Sequence, residues 1–160
     1  LSARLKTDGP DAAWARLREI AAWFADVQAE GGYRAYYKKQ GAVLQGDGAA
    51  GGLGLDREFF ESLLVPQIML HGFLGFAPTA DGCVIEPRLP ADFPVLTIDR
   101  IRVKGLVLSV TASRESILVR KVAGETGGTF TLAAPGYQAV PPIDWAKTTE
   151  VSLSGIREIP

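Results

Sequence analysis

Leu106-Val107-Leu108-Ser109-Val110-Thr111 sets large aliphatic residues against a second set that turns polar, the two-residue period of a half-buried β-strand. Strand alternation then directs Leu106, Leu108 and Val110 into a core, together with Ile117 and Val119 from the next strand. Working outward, residues 113–115 read as a turn and residues 117–122 resume the extended pattern. On the other side, residues 97–104 are rich in β-branched side chains, and Arg100, Arg102 and Lys104 alternate as a solvated face. Asp81-Gly82 and residues 124–128 are turn signals, and residues 129–132 form a short strand. An antiparallel β-sandwich or half-sandwich is therefore expected over about 82–133. Beyond Ala133, with Pro135, Pro141 and Pro142, the chain either wraps back over the helices or forms a tail.

The first half has a different period. Trp14, Leu17, Ile20, Ala21, Phe24 and Val27 recur every three or four residues, which predicts a one-sided helix over residues 11–30. Pro10 and Asp11 suit its first turn and Gly31-Gly32 stops it. Residues 1–9 are polar and read as structureless. A second helix is predicted over residues 56–75, carried by Phe59, Leu63, Leu64, Ile68, Met69 and Leu70. Asp56 caps it, Glu58 and Glu61 sit near its positive end, Pro66 bends it, and Gly72 and Gly75 terminate it. Helices followed by strands define an α+β chain. Two one-sided helices cannot bury both their faces, so the helical half needs more protein, and a helix barrel supplies it. The expected organisation is residues 1–78 as the end of a helical domain and residues 79–160 as the β-sandwich domain. In isolation, the helix stripes are expected to pair with each other or to bind a second copy.

Composition narrows the function classes. The 160 residues are 47% hydrophobic, enough for a packed core. A net charge of -1 gives no argument for a nucleic-acid or anionic-membrane partner. The lone Cys83 rules out an internal disulfide, and the lone His71 a multi-histidine metal centre, so no metal or cofactor is expected. No stretch reads as a transmembrane helix or a secretory signal. The chain opens without Met and is expected to be a piece of a longer protein.

Between the two predicted helices lies Leu44-Gln45-Gly46-Asp47-Gly48-Ala49-Ala50-Gly51-Gly52-Leu53-Gly54-Leu55-Asp56. Against this background of small and aliphatic residues, the polar Gln45 and Asp47 stand out. A carboxylate among glycines can meet a ligand with no neighbouring side chain in the way. The plain alternatives are a flexible linker and, at Asp47-Gly48, an ordinary turn.

The order of Gly-rich loop, helix, Leu-Pro link and sandwich resembles the end of the catalytic region in (α/α)6-barrel glycoside hydrolases. The pattern is nearest to inverting α-L-fucosidases and, more distantly, to maltose-phosphorylase-like enzymes. Those fucosidases carry Gln-Ile-Asp-Gly-Asn-Phe-Gly-Gly, which is similar to Gln45-Gly46-Asp47-Gly48-Ala49-Ala50-Gly51-Gly52. Their Leu-Pro-Ala-Leu-Pro link resembles Ile85-Glu86-Pro87-Arg88-Leu89-Pro90, and their Lys-Gly-Leu strand start resembles Lys104-Gly105-Leu106. The likeness covers roughly residues 40–122 and departs where Asn-Phe becomes Ala49-Ala50. It implies that the chain holds the last helices of an (α/α)6 barrel and the C-terminal sandwich of a glycosidase acting with inversion. It also implies that Asp47 is the general base, with the proton donor outside these residues. Inverting chemistry needs two carboxyl groups about 6.5–9.5 Å apart, one of which activates water.

Other residues carry weaker signals. Tyr33 and Arg34, with Tyr36 and Tyr37, either line a sugar subsite or form the end of an amphipathic helix. Gln45 either bonds a sugar hydroxyl or is a solvated loop residue. Asp56 and Glu58 read as helix-end charges, His71 as a satisfied and partly buried histidine, Trp14 and Trp23 as core, and Cys83 as a packed strand residue. Carbohydrate is the expected partner. A non-catalytic carbohydrate-binding or structural β-sandwich module is the competing class. A binding module would line up aromatics on one strand face, whereas Phe93, Phe130, Tyr137 and Trp145 are scattered.

Overall fold

The structure is a computed structural model that describes residues 1–39 and 64–156, without the side chains of Tyr33, Arg34, Tyr37 and Leu64. It is an α+β arrangement, helices first. Helix α1 spans Ser2–Thr7, α2 Pro10–Ala29, α3 Tyr33–Lys39 and α4 Leu64–Gln67. From α4 the chain runs straight into a π-helical segment, Ile68–Phe73. The strands are β1 (Ala77–Pro78), β2 (Gly82–Val84), β3 (Val95–Val103), β4 (Leu106–Ser113), β5 (Ser116–Gly124), β6 (Thr131–Ala133) and β7 (Glu150–Ser154).

Helix α2 forms where the apolar spacing predicts it. Pro10 opens its first turn with Asp11 beside it, and the N–H groups of Gly31 and Gly32 close on the carbonyls of Gln28 and Val27 at its end. Residues 1–9 are not structureless, as expected from their polarity; they contain α1. Its one buried residue, Leu5, packs against the helical segment around Gly72, where a Cβ would lie 3.0 Å from a Leu5 methyl and 2.6 Å from Ile68. Gly72 is thus a close-packing position inside the π-helical segment and not a helix terminator. Pro66 does precede a change of helix type, and the wider hydrogen-bond spacing begins two residues later, at Ile68. The predicted helix over 56–75 is observed from Leu64, its first turns lying outside the described residues.

Strands β3, β4, β5 and β7 form an antiparallel four-stranded sheet in that order. The inward residues are those the alternation names: Leu106 is 1% exposed, and Leu108, Val110, Ile117 and Val119 are each 0% exposed. Arg100, Arg102 and Lys104 are all exposed. Arg100, at φ +61, lies in a register irregularity between Ile98 and Ile101. Lys104 and Gly105, at φ +51 and +81, make the two-residue turn into β4. A tight hairpin of this kind needs positive φ at both central positions.

The second sheet corrects the all-antiparallel expectation. Its order is β1-β2-β6, with β1 antiparallel to β2 but β2 parallel to β6. The chain leaves the large sheet after β5, crosses to add β6, and returns as β7 on the far side of β5. The region beyond Ala133 is therefore neither a tail nor a wrap over the helices. Residues 130 and 143 bridge it to the small sheet, and Glu150–Ser154 completes the large one. Leu5, Ala13, Leu17, Phe73, Cys83, Ile85, Leu108, Phe130, Trp145 and Leu153 belong to one continuous buried cluster.

Candidate functional site

Asp47 and Gln45 lie outside the described residues, as do Asp56 and Glu58. Tyr33 and Arg34 open α3, and only their backbone is described. What the structure gives is the frame on either side of that segment. Tyr36 N–H bonds the Gly32 carbonyl at 3.0 Å, and Lys39 at the end of α3 pairs with Glu30 at the end of α2. Helix α3 is so tied back on the end of α2. The chain is described again at α4, whose π-helical extension is anchored in the core by Ile68, 5% exposed, and Phe73, 0% exposed.

The link resembling the Leu-Pro motif docks onto α2. Trp14 lies between two rings, stacked on Phe93 at 4.9 Å and 11° and edge-on to Phe73 at 5.8 Å and 90°. The Asp11 carboxylate accepts the Ala91 N–H at 2.6 Å, and Arg18 pairs with Asp92 at 3.0 Å. Helix, π-helical segment and link therefore meet at one aromatic stack, which sets where the first long strand, β3, begins. Trp14 is a packing residue, as its place in the stripe implies. Trp23 is half-buried and lines a shallow depression of about 400 Å³ with Arg16, Glu19 and Ile20.

A second open depression, of about 380 Å³, lies where α1, the π-helical segment and the start of the link converge. Lys6, His71, Glu86 and Arg88 are its charged or titratable lining, over a floor that includes Leu5, Gly72, Gly75 and Phe76. Arg88 donates to Glu86 at 3.0 Å. His71 Nδ1 lies 2.8 Å from the Phe76 carbonyl oxygen, where it donates, which leaves Nε2 for another partner. The histidine is thus satisfied at one nitrogen through a part-buried bond, although the residue as a whole is exposed. Sequence reasoning missed this grouping because Lys6, His71 and Arg88 come from three distant segments with no shared period. The charged pair inside Glu86-Pro87-Arg88 was its one local signal.

Cys83 is buried at 1% exposure, and burial pushes its thiol up to about 12. It carries no nucleophilic character, as the strand reading expects. Among the described residues, no cluster of histidine, cysteine and carboxylate side chains could hold a metal ion, and no helix is long and apolar enough to cross a membrane.

No known family and no curated protein matches the chain. Among solved structures, a protein named a kojibiose phosphorylase, from the human microbiome, is similar over 66% of this chain at 13% identity, with a TM-score of 0.44. This chain spans 16% of that protein's length. A likeness this loose fixes neither activity nor substrate.

Proposed function

We propose that the chain is part of a carbohydrate-active enzyme that cleaves glycosidic bonds with inversion, and that Asp47 is its general base. The observation that carries the reading is the order of three motifs: Gln45-Gly46-Asp47-Gly48, then Ile85-Glu86-Pro87-Arg88-Leu89-Pro90, then Lys104-Gly105-Leu106. The local structure agrees with the last two as a link and a strand start. Residues 85–90 lead from the small sheet to β3, and Lys104-Gly105 is the turn from which Leu106 begins β4. Gln45, Tyr33 and Arg34 complete the reading as contacts to sugar hydroxyls and to the apolar sugar face.

The chemistry asks for a carboxylate that remains ionised beside an attacking water. A glycine setting leaves space for that water, and backbone N–H groups favour the charged form. The proton donor and the rest of the barrel belong, on this reading, to a longer parent protein. Hydrolysis fits a water-activating Asp47; in a phosphorolytic variant, phosphate takes the place of water and no such base is needed.

Asp47→Asn in the longer enzyme separates the roles. It keeps the shape, removes the charge, and should lower kcat by about 10²–10⁴-fold with little change in KM or melting temperature. Retained turnover on a glycoside that the parent hydrolyses would end the assignment. A large loss of stability would make Asp47 a turn residue.

A structural role for the sandwich is the second reading, and one observation favours it over carbohydrate binding. Phe130 and Trp145 are each 1% exposed, Phe93 is stacked on Trp14, and the Tyr137 hydroxyl donates to the Ser113 carbonyl. Among the described residues, none of the candidate aromatics of the β half is left as a platform for a sugar ring.

A further inference from the structure

We propose that the depression between α1, the π-helical segment and the β2–β3 link binds a small oxyanion, a phosphate or carboxylate group. Three basic side chains converge there from three elements: Lys6 from α1, His71 from the π-helical segment, and Arg88 from the link. One carboxylate, Glu86, opposes them, and it is engaged by Arg88 at 3.0 Å. A guanidinium has five N–H donors in a fixed fork, so this contact leaves donors over for a second anion. Among the described residues, Lys6 has no ion-pair partner.

His71 adds direction. Its Nδ1 is held by the Phe76 carbonyl at 2.8 Å, so the ring is fixed in the wall of the depression and Nε2 is the nitrogen left over. The floor contributes in another way. Leu5 and Phe76 are each 5% exposed, and Gly72 and Gly75 bring no side chain. Apolar side chains in the floor strengthen the attraction between a bound anion and the basic rim. The volume, about 380 Å³, admits a phosphate with room for a small organic body behind it. The lining supplies no exposed aromatic face for a sugar, and its one imidazole and one paired carboxylate are too few ligands for a metal ion.

His71 is the only histidine of the chain, so its ring Cε1–H gives a single NMR signal that reports on the wall of the depression. The experiment titrates the folded chain with inorganic phosphate, with acetate, and with sodium chloride at matched ionic strength. A saturable shift with phosphate, absent with chloride, is the expected result. A saturable shift with acetate alone also supports an oxyanion site and identifies a carboxylate as its occupant. Combining Lys6→Gln with Arg88→Gln should weaken binding by about tenfold or more, since each removes a charge-assisted bond. Unchanged Leu108 and Val110 methyl signals serve as the folding control. If the double variant fails to fold, Lys6→Gln alone, at an exposed position, provides the comparison. A shift that never saturates, one equalled by chloride, or a binding curve indifferent to these substitutions would overturn the proposal. The result is independent of Asp47, so failure here leaves the glycosidase reading untouched.

Discussion

Gly75 stands at φ +66, and a Cβ built on it would lie 2.0 Å from the Glu86 carbonyl oxygen. Both the backbone conformation and the space exclude any other residue. The position also accepts the Glu86 N–H at 3.3 Å, joining the end of the helical segment to the start of the link. Gly75→Ala should therefore lower the unfolding free energy by about 3 kcal/mol or more, read as a shift in the urea midpoint. A shift below about 1 kcal/mol would mean that the close approach to Glu86 does not hold the fold there. Cys83 makes a second prediction at this scale. With its thiol pushed up to about 12 by burial, native protein should resist a thiol reagent at mildly alkaline pH, and labelling should proceed only as the chain unfolds. Rapid stoichiometric labelling would contradict the packing of β2. The sequence pattern announced Cys83 correctly because burial of a small apolar side chain follows from its strand. It placed Gly75 correctly as a helix stop but not as a close approach to Glu86, because a clash with a carbonyl far along the chain has no local signature.

The elements divide in the same way, by how local their causes are. Helix α2 and the inward rows of β4 and β5 were legible because period alone sets which residues are buried. Helix α1 was not, since its place depends on one side chain, Leu5, meeting Gly72 far along the chain. Strand β7 was not, since its partner β5 precedes it by some 30 residues across a proline-bearing stretch, with Arg120 opposite Glu150. The parallel β2–β6 pair was not, because three strands separate its members. Of the candidate site, Asp47 and Gln45 rest on motif alone, and Tyr33 and Arg34 are located only as the start of α3. The contact with most consequence at this scale is the Trp14 stack. Trp14→Ala should cost about 3 kcal/mol, through lost packing on Phe73 and Phe93 together. A double-mutant cycle of Trp14→Ala with Phe93→Ala should show a coupling of about 0.5–1.5 kcal/mol. No coupling would mean that the link reaches β3 without help from α2.

At the scale of the whole molecule, burial is uneven along α2. Its first half is held: Ala13 is 0% exposed, Leu17 is 5% exposed, and Trp14 is stacked. Its second half is not held equally. Val27 is buried, but Ile20 and Trp23 are half-buried beside a shallow depression, and Phe24 is 38% exposed. Large apolar side chains close together on one helix surface are costly in water and favour cover by other protein. In the proposed parent enzyme that cover is the remainder of the helical domain. The 160-residue chain by itself should then associate, and light scattering should report an average mass that rises with concentration. Trp23→Glu places a charge in the middle of this surface and should return the chain to a monomer. The same substitution should leave the melting temperature nearly unchanged, because Trp23 lies outside the continuous core. Fluorescence supplies an independent check: self-association should shift Trp23 emission towards the blue, with Trp14 and Trp145 already packed within the protomer. A wild-type chain that stays monomeric across the whole concentration range would show that α2 needs no cover, and support for a larger helical domain would then rest on the order of the three motifs alone.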